Sequence, residues 1–287
     1  MDLIDVSDIV RPRSEADIPP WQEGDAYVAG GTWLFSEPQP DVRRLIDLTD
    51  IPWTPVELTD DVVRISATCT YDELEARAHL LGHAGPLFSR AIRTLSSSFK
   101  TYGEATVGGN ICLAYAKSMM APVCCALGAT YDLATPEGPS RRVPATLFQI
   151  GAQETIRRPG EYLRAILIPA SATNGSYALR AHSYTPTSHA TAMVIAAGRR
   201  APGGNGSEGT GATALVVSAA TTHPVRVELA PGAGAEDAAA AAARVCDETP
   251  VLDDAHGSAA YRRAVVADVA RRAAVDLENP GSKEGRS

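Results

Sequence analysis

Positive charge is scarce in this 287-residue chain. Its 26 lysines and arginines face 34 acids, for a net charge of −8. That balance argues against nucleic acid or an anionic membrane surface as the main partner. Long apolar runs are missing, and none approaches the roughly 20 residues that span a bilayer. The opening "MDLIDVSDIVRPRSEADIPP" has acids where a secretion signal has basic residues, and no apolar block. A soluble, cytoplasmic protein is expected. Cysteines number five and none is spaced C-x-x-C, so neither a zinc site nor an iron–sulfur cluster is encoded. The odd count and the adjacent Cys124-Cys125 in an apolar helical context read as buried, reduced thiols. Asn174-Gly-Ser176 and Asn205-Gly-Ser207 match the glycosylation pattern, a coincidence without a secretion signal.

Several catalytic signatures are missing too. Ser183, Ser188 and His189 lie in "SYTPTSHA" without the G-x-S-x-G elbow of a hydrolase. His79 and His83 are spaced i, i+4, but no zincin glutamate lies between them, and they read as surface histidines. Glu15, Asp17 and the other exposed acids read as a solvated face.

What is there alternates between strand and helix. "AYVAGG", "RRLIDLTD" and the longer "DVVRISATCTY" read as strands. Thr70 and Glu73 have the spacing of a capping box ahead of "LEARAHLLG", a helix that Gly82 ends. Phe88, Ala91, Ile92 and Leu95 form one apolar helical stripe. "PVCCALGA" is a short buried helix stopped at Gly128, and "TYDLATPEGPSRRVPA" a hairpin. Farther on, "EYLRAILIP", "YALRAHSY", "TAMVIAAG" and "ALVVSAAT" are strands, the last two separated by a mobile surface loop at 202–211. "AEDAAAAAARVCDE" and "SAAYRRAVVADVARRAAVDL" are helices before a frayed tail. Strands followed by helices fit an α+β unit, and the length suits two or three lobes.

Two glycine turns interrupt this pattern, "VAGGTWLF" at 28–35 and "ATVGGNICLA" at 105–114. Paired glycines permit positive φ and let a ligand approach the backbone, while freed N–H groups form a nest for a phosphate or pyrophosphate. Two such loops could grip one diphosphate from opposite sides. Neither has the lysine of a P-loop or the full G-x-G-x-x-G of a dinucleotide turn.

These two loops resemble the FAD loops of the flavin-binding medium subunit of molybdenum hydroxylases, the xanthine dehydrogenase and carbon monoxide dehydrogenase family. "APVCCALGATYDLATPEG", "RRVPATLFQIG", "RPGEYLRAILIP" and "SAAYRRAVVADVARRAA" are similar to family segments in the same order, so the resemblance spans roughly residues 20 to 275. It implies an α+β chain: a PCMH-like FAD-binding domain at 1–172, made of two α/β subdomains (about 1–55 and 56–172). A C-terminal α+β domain with a small antiparallel sheet and helices would follow at 173–278, then a disordered tail at 279–287. Val28, Ala29, Gly30, Gly31, Thr32 and Trp33 would form the first pyrophosphate loop, and Thr106, Val107, Gly108, Gly109 and Asn110 the second. Asn110 would cap a flavin or phosphate oxygen, or be a plain turn residue in the left-handed region. Arg180 would stand beside the isoalloxazine, where a cation favours the reduced anionic flavin, or in a surface salt bridge. Trp33 would shield adenine or ring, or belong to the core; Tyr184 and His189 would line the flavin face or pack the sheet.

By the same resemblance, electrons would come from iron–sulfur clusters on a small 2Fe-2S subunit, having been taken from substrate at molybdenum on a large molybdopterin-binding subunit. FAD would pass them to NAD+ or oxygen within a dimer of heterotrimers. The chain also departs from the family pattern. Met119 stands where many relatives have an aspartate near the ring, Tyr115 where an acid is common, and Gly103 and Glu104 where an Arg-Asn or Trp-Asn pair precedes the second loop. Two alternatives follow: a stand-alone flavin oxidase, distinguished by turnover without partners, and a structural subunit that has lost FAD, distinguished by its lack of yellow colour.

Overall fold

Near the N-terminus three short strands run parallel in the order β1–β3–β2: β1 is Asp8–Val10, β2 Asp25–Val28 and β3 Arg44–Asp47. The sheet belongs to a computed structural model that describes residues 3–94, 101–185, 188–198 and 211–279. Leu95, the Asn205 sequon, the tail from 280 and all of the 202–211 loop except Gly211 lie outside those residues. Ile46 of β3 is fully buried, with Ile18, Leu48, Ile51 and Tyr162 around it. Glu15 is not part of a solvated face. Its carboxylate accepts from Trp53 Nε1 at 2.9 Å and from Arg164 Nη1 at 3.2 Å, tying the first sheet to the second.

That second sheet is antiparallel, in the order β4–β5–β10–β6–β7. Its strands are β4 Val56–Leu58, β5 Val62–Ser66, β6 Thr130–Thr135, β7 Gly138–Pro144 and β10 Tyr162–Pro169. β6 and β7 are the expected hairpin; β1 and β4 are too short to show a period in the sequence. Between β5 and β6, the α-helices among the described residues are α1 Tyr71–Ala76, α2 Gly85–Thr94, α3 Val107–Leu113 and α4 Met120–Ala126. The capping box forms, with Thr70 Oγ1 accepting from Glu73 N at 3.2 Å and Glu73 Oε2 from Thr70 N at 3.0 Å. The helix it starts stops at Ala76, earlier than expected, and continues as tighter turns that Gly82 breaks at φ 53. After β7, α5 (Ala145–Phe148) leads into the small ribbon β8 (Gln149–Gly151) and β9 (Glu154–Thr155).

The C-terminal sheet is β11–β12–β13–β14: Ser176–His182, Ala192–Gly198, Ala214–Ser218 and Val225–Glu228. The last strand, in "PVRVE", is an addition to those expected. α6 (Ala235–Glu248) and α7 (Ala259–Glu278) cover one face. β12 explains why "AMVIAAG" is apolar without interruption. Alternate residues point to opposite faces. Met193 and Ile195 join the core shared with α2 and α4, while Ala192, Val194 and Ala196 meet α6 and α7. A strand buried on both faces needs a continuous apolar run.

Candidate functional site

The two glycine stretches touch. A Cβ on Gly30 would fall on the carbonyl oxygen of Glu104 and lie 3.1 Å from Thr106 Cγ2, so the absence of a side chain is what lets the loops meet. Gly31 has φ +70 and starts a turn in which Phe35 N–H donates to Gly31 O at 2.9 Å and Ser36 N–H to Trp33 O at 2.9 Å. No acceptor meets the N–H groups of Gly31, Thr32, Trp33 or Leu34 among the described residues. The loop follows the carboxyl end of parallel strand β2, where ligands of parallel sheets are commonly held.

The second stretch differs from the expected open turn, for it is the start of helix α3. Thr106 is its N-cap, and Thr106 Oγ1 accepts from Gly109 N at 3.0 Å. Val107 N–H donates to Cys69 O and Gly108 N–H to Ala67 O, both at 2.9 Å. Those N–H groups are committed to the protein, so no second nest forms. Gly108 serves close approach, since a Cβ there would lie 2.5 Å from Ala67 Cβ. Gly109 is exposed and its Cβ would meet only Thr106 Oγ1, at 2.9 Å. Asn110 is helical, not left-handed; its Oδ1 accepts from Met120 N at 3.1 Å and so fastens α4 to α3.

Between the loops lies a crevice of about 460 Å³, lined by Val28 through Trp33, by Thr106, and by Gly108 through Asn110. Trp33 is 39 % exposed and lines it, so it is not a core residue. Val107 is fully buried beneath. One wall is aromatic: Trp21 and Tyr27 have ring centroids 5.0 Å apart, and Tyr27 and Tyr162 5.2 Å apart. Burial holds the Tyr27 phenol well above its ordinary pKa, so it stays protonated and donates to Gly160 O at 3.1 Å. Gln153, at φ 61, and Arg157 close the far side. Trp21, Tyr27, Tyr162, Gln153 and Arg157 carry no local motif; only the fold brings them to the glycines. Glu104 is exposed and does not line the crevice, although its backbone carbonyl meets the first loop at Gly30.

Two expected site residues are not brought to the crevice. Arg180 alternates outward on β11 while Leu179 faces the core; its guanidinium pairs with Asp276 of α7, Nη2 at 2.8 Å from Oδ1. It lines a separate cleft of about 990 Å³ together with His79 and His83. Met119 is buried at the start of α4, as an apolar side chain in an acid's place would be. Tyr184 stacks on Tyr261 at 5.3 Å, and His189 lies edge-on to Tyr115 at 5.8 Å and to His256 at 5.1 Å. Neither lines the crevice. Burial, with His256 and Lys117 nearby, lowers the pKa of His189. Among the described residues no group of three or more His, Cys, Asp or Glu side chains could hold a metal ion, and no helix is long and apolar enough to cross a membrane. All five cysteines are free; Cys112 is half-buried and the others are buried.

Comparisons with known proteins agree with this geometry. A family model described as the FAD binding domain in molybdopterin dehydrogenase matches residues 10–171. Among solved structures, reconstituted CO dehydrogenase from Oligotropha carboxidovorans superposes with a TM-score of 0.82 at 25% identity, over 94% of this chain and 97% of that one. A carbon monoxide dehydrogenase from Hydrogenophaga pseudoflava gives 0.81 at 21% identity over 95% and 98%. Quinoline 2-oxidoreductase from Pseudomonas putida 86 gives 0.79 at 20% over 99% and 100%. The latter two likenesses speak for the α+β fold. No curated protein sequence matches the chain. The matched stretch contains both glycine loops and the crevice between them, and the chain belongs to the family of FAD-binding domains of molybdopterin dehydrogenases.

Proposed function

We propose that this chain is the flavoprotein subunit of a molybdenum-dependent dehydrogenase or hydroxylase. It works beside a small 2Fe-2S subunit and a large molybdopterin-binding subunit in a dimer of heterotrimers, with NAD+ or oxygen as the final acceptor. Residues 1–172 hold the cofactor, and 173–278 form the C-terminal domain. The observation that carries the reading is the contact of Gly30 with the Glu104 backbone, which puts both glycine stretches on one crevice. The residues present fit FAD: unpartnered N–H groups on the first loop, a cradle that Cβ atoms would fill, and an aromatic wall.

FAD supplies the redox chemistry when bound, and the protein supplies position and electrostatics. The N–H groups of Gly31 through Leu34 donate to diphosphate oxygens, as in other backbone nests. The Thr106 hydroxyl, whose oxygen already accepts from Gly109, keeps its proton for a further acceptor. Trp33 covers the mouth and excludes water, and Val28 and Val107 pack the two loops from beneath. No acid–base side chain is assigned. The test is purification of the native assembly: a yellow chain copurifying with an iron–sulfur and a molybdenum subunit supports the reading. Reoxidation of the reduced assembly by NAD+ or by oxygen identifies the acceptor. Turnover by the isolated chain would contradict it.

A further inference from the structure

The turn after β9 brings to the crevice a charge that no glycine loop explains. Arg157 lines the crevice, and its Nη1 donates to Glu161 O at 3.2 Å. The turn is held from other sides by Tyr27 Oη on Gly160 O and by Arg158 N–H on Glu161 Oε2 at 2.7 Å. Glu161 is committed to Arg141, at 2.6 and 2.8 Å, and Asp25, the carboxylate of the crevice wall, to Arg44, at 2.8 and 2.6 Å. Arg157 therefore has no carboxylate partner among the described residues, and its Nε–H is buried without an acceptor. Orphaned buried donors are rare in folded proteins and are costly unless something satisfies them. Arg157's charge lowers the titration of the Tyr27 phenol and the Cys112 thiol, against the larger upward effect of burial. It therefore stands between β2 and α3, the elements that bear the two loops.

We propose that Arg157 binds the adenosine diphosphate half of the dinucleotide and sets much of its affinity. The inference rests on the FAD reading above. The oxidised flavin ring is neutral, whereas the diphosphate is anionic, and a guanidinium fork matches phosphate oxygens. Apo-protein is titrated with FAD and, separately, with ADP, for wild type, Arg157→Met and Arg157→Lys. Arg157→Met weakens both ligands by roughly 10- to 100-fold. Arg157→Lys restores part of both losses, because charge returns without the fork. The unliganded Arg157→Met protein melts close to wild type, since the loss of the Nη1 bond to Glu161 O is offset by removal of an orphaned donor. Unchanged affinities overturn the proposal, as does weakening confined to FAD, which would place Arg157 on the flavin half. Wild-type protein that binds neither ligand overturns the cofactor reading itself, and this inference with it.

Discussion

Single residues decide whether the two loops can meet. Gly31 sits at φ +70, where an L side chain costs about 1–2 kcal/mol. Gly31→Ala is therefore expected to lower stability by at least that amount, since its Cβ would also fall on the Phe35 ring, and to weaken FAD binding, because the turn that exposes the N–H groups starts there. Equal affinity and thermal midpoint in the two proteins would show that the turn does not need glycine. The cysteines behave oppositely, as inert filling. Burial pushes the Cys69 and Cys124 thiols up to about 12 and Cys246 up to about 11. Thiolate is the reactive form. Native protein should react slowly with a thiol reagent near neutral pH, and denatured protein rapidly at all five positions. A fast-reacting cysteine in the native protein would contradict this. At this scale the glycines and the buried thiols could be read from local sequence. Arg157 and Tyr27 could not, because their role depends on a convergence of β2, α3 and the 157–161 turn.

Elements were legible wherever a local pattern marked them. β12 follows from its unbroken apolar run, the β6–β7 hairpin from the proline and glycine of its turn, and α1 from its capping box. β1, β4 and β14, of three or four residues, are too short for a period to show. The larger misreading was of "ATVGGNICLA": a glycine pair after an N-cap threonine looks like a turn, yet Ala67 and Cys69 accept its N–H groups and hold it helical. Thr106 therefore has two duties, capping α3 and facing the crevice. Thr106→Ala should cost about 1 kcal/mol in thermal or denaturant unfolding. A larger loss of FAD affinity than of stability would separate the second duty from the first. Arg180 shows the limit of position-matching, since a strand's alternation, not its place in the chain, decided which way it faced.

At the scale of the whole molecule, the two ends of the chain are joined by buried charge as well as by β12. Arg262 of α7 is fully buried. It donates to Thr191 O and Ala219 O, both at 2.5 Å, and to Asp254 Oδ1 at 2.6 Å. Lys117, from the segment before α4, is 5 % exposed and reaches Asp254 Oδ2 at 2.8 Å. Asp254→Asn would leave two buried cations without their carboxylate and is expected to cost about 3 kcal/mol, the low end for a broken buried pair because Asp254 is partly exposed. Chemical denaturation measures it; a cost within 0.5 kcal/mol, about that of an ordinary surface change, would contradict it. Burial would raise the Asp254 pKa, but Lys117, the His256 N–H and Arg262 together hold it below its ordinary value. Glu161 is lowered chiefly by Arg141. His189 is lowered chiefly by burial. All three groups bind protons more readily unfolded than folded, so each contributes stability at higher pH that is lost on acidification. The thermal midpoint should begin to fall below about pH 6.5, where unfolded histidine titrates, and fall further below about pH 4 as the carboxylates join. A midpoint that rises on acidification would reverse the sign.

The central claim is that two glycine stretches, about 75 positions apart in the chain, form one FAD cradle. The most direct test is the visible absorption of purified wild-type and Gly109→Val protein, with the released chromophore identified after unfolding. Gly109 is exposed and its Cβ meets only the Thr106 hydroxyl, at 2.9 Å, so valine there fills the crevice and disturbs the fold only at that cap, which the circular dichroism of the variant checks. The account predicts a yellow wild-type protein that releases FAD, and a folded variant that is colourless or binds added FAD much more weakly. A colourless wild type that takes up no FAD, or a variant that binds it as tightly as wild type, would contradict it.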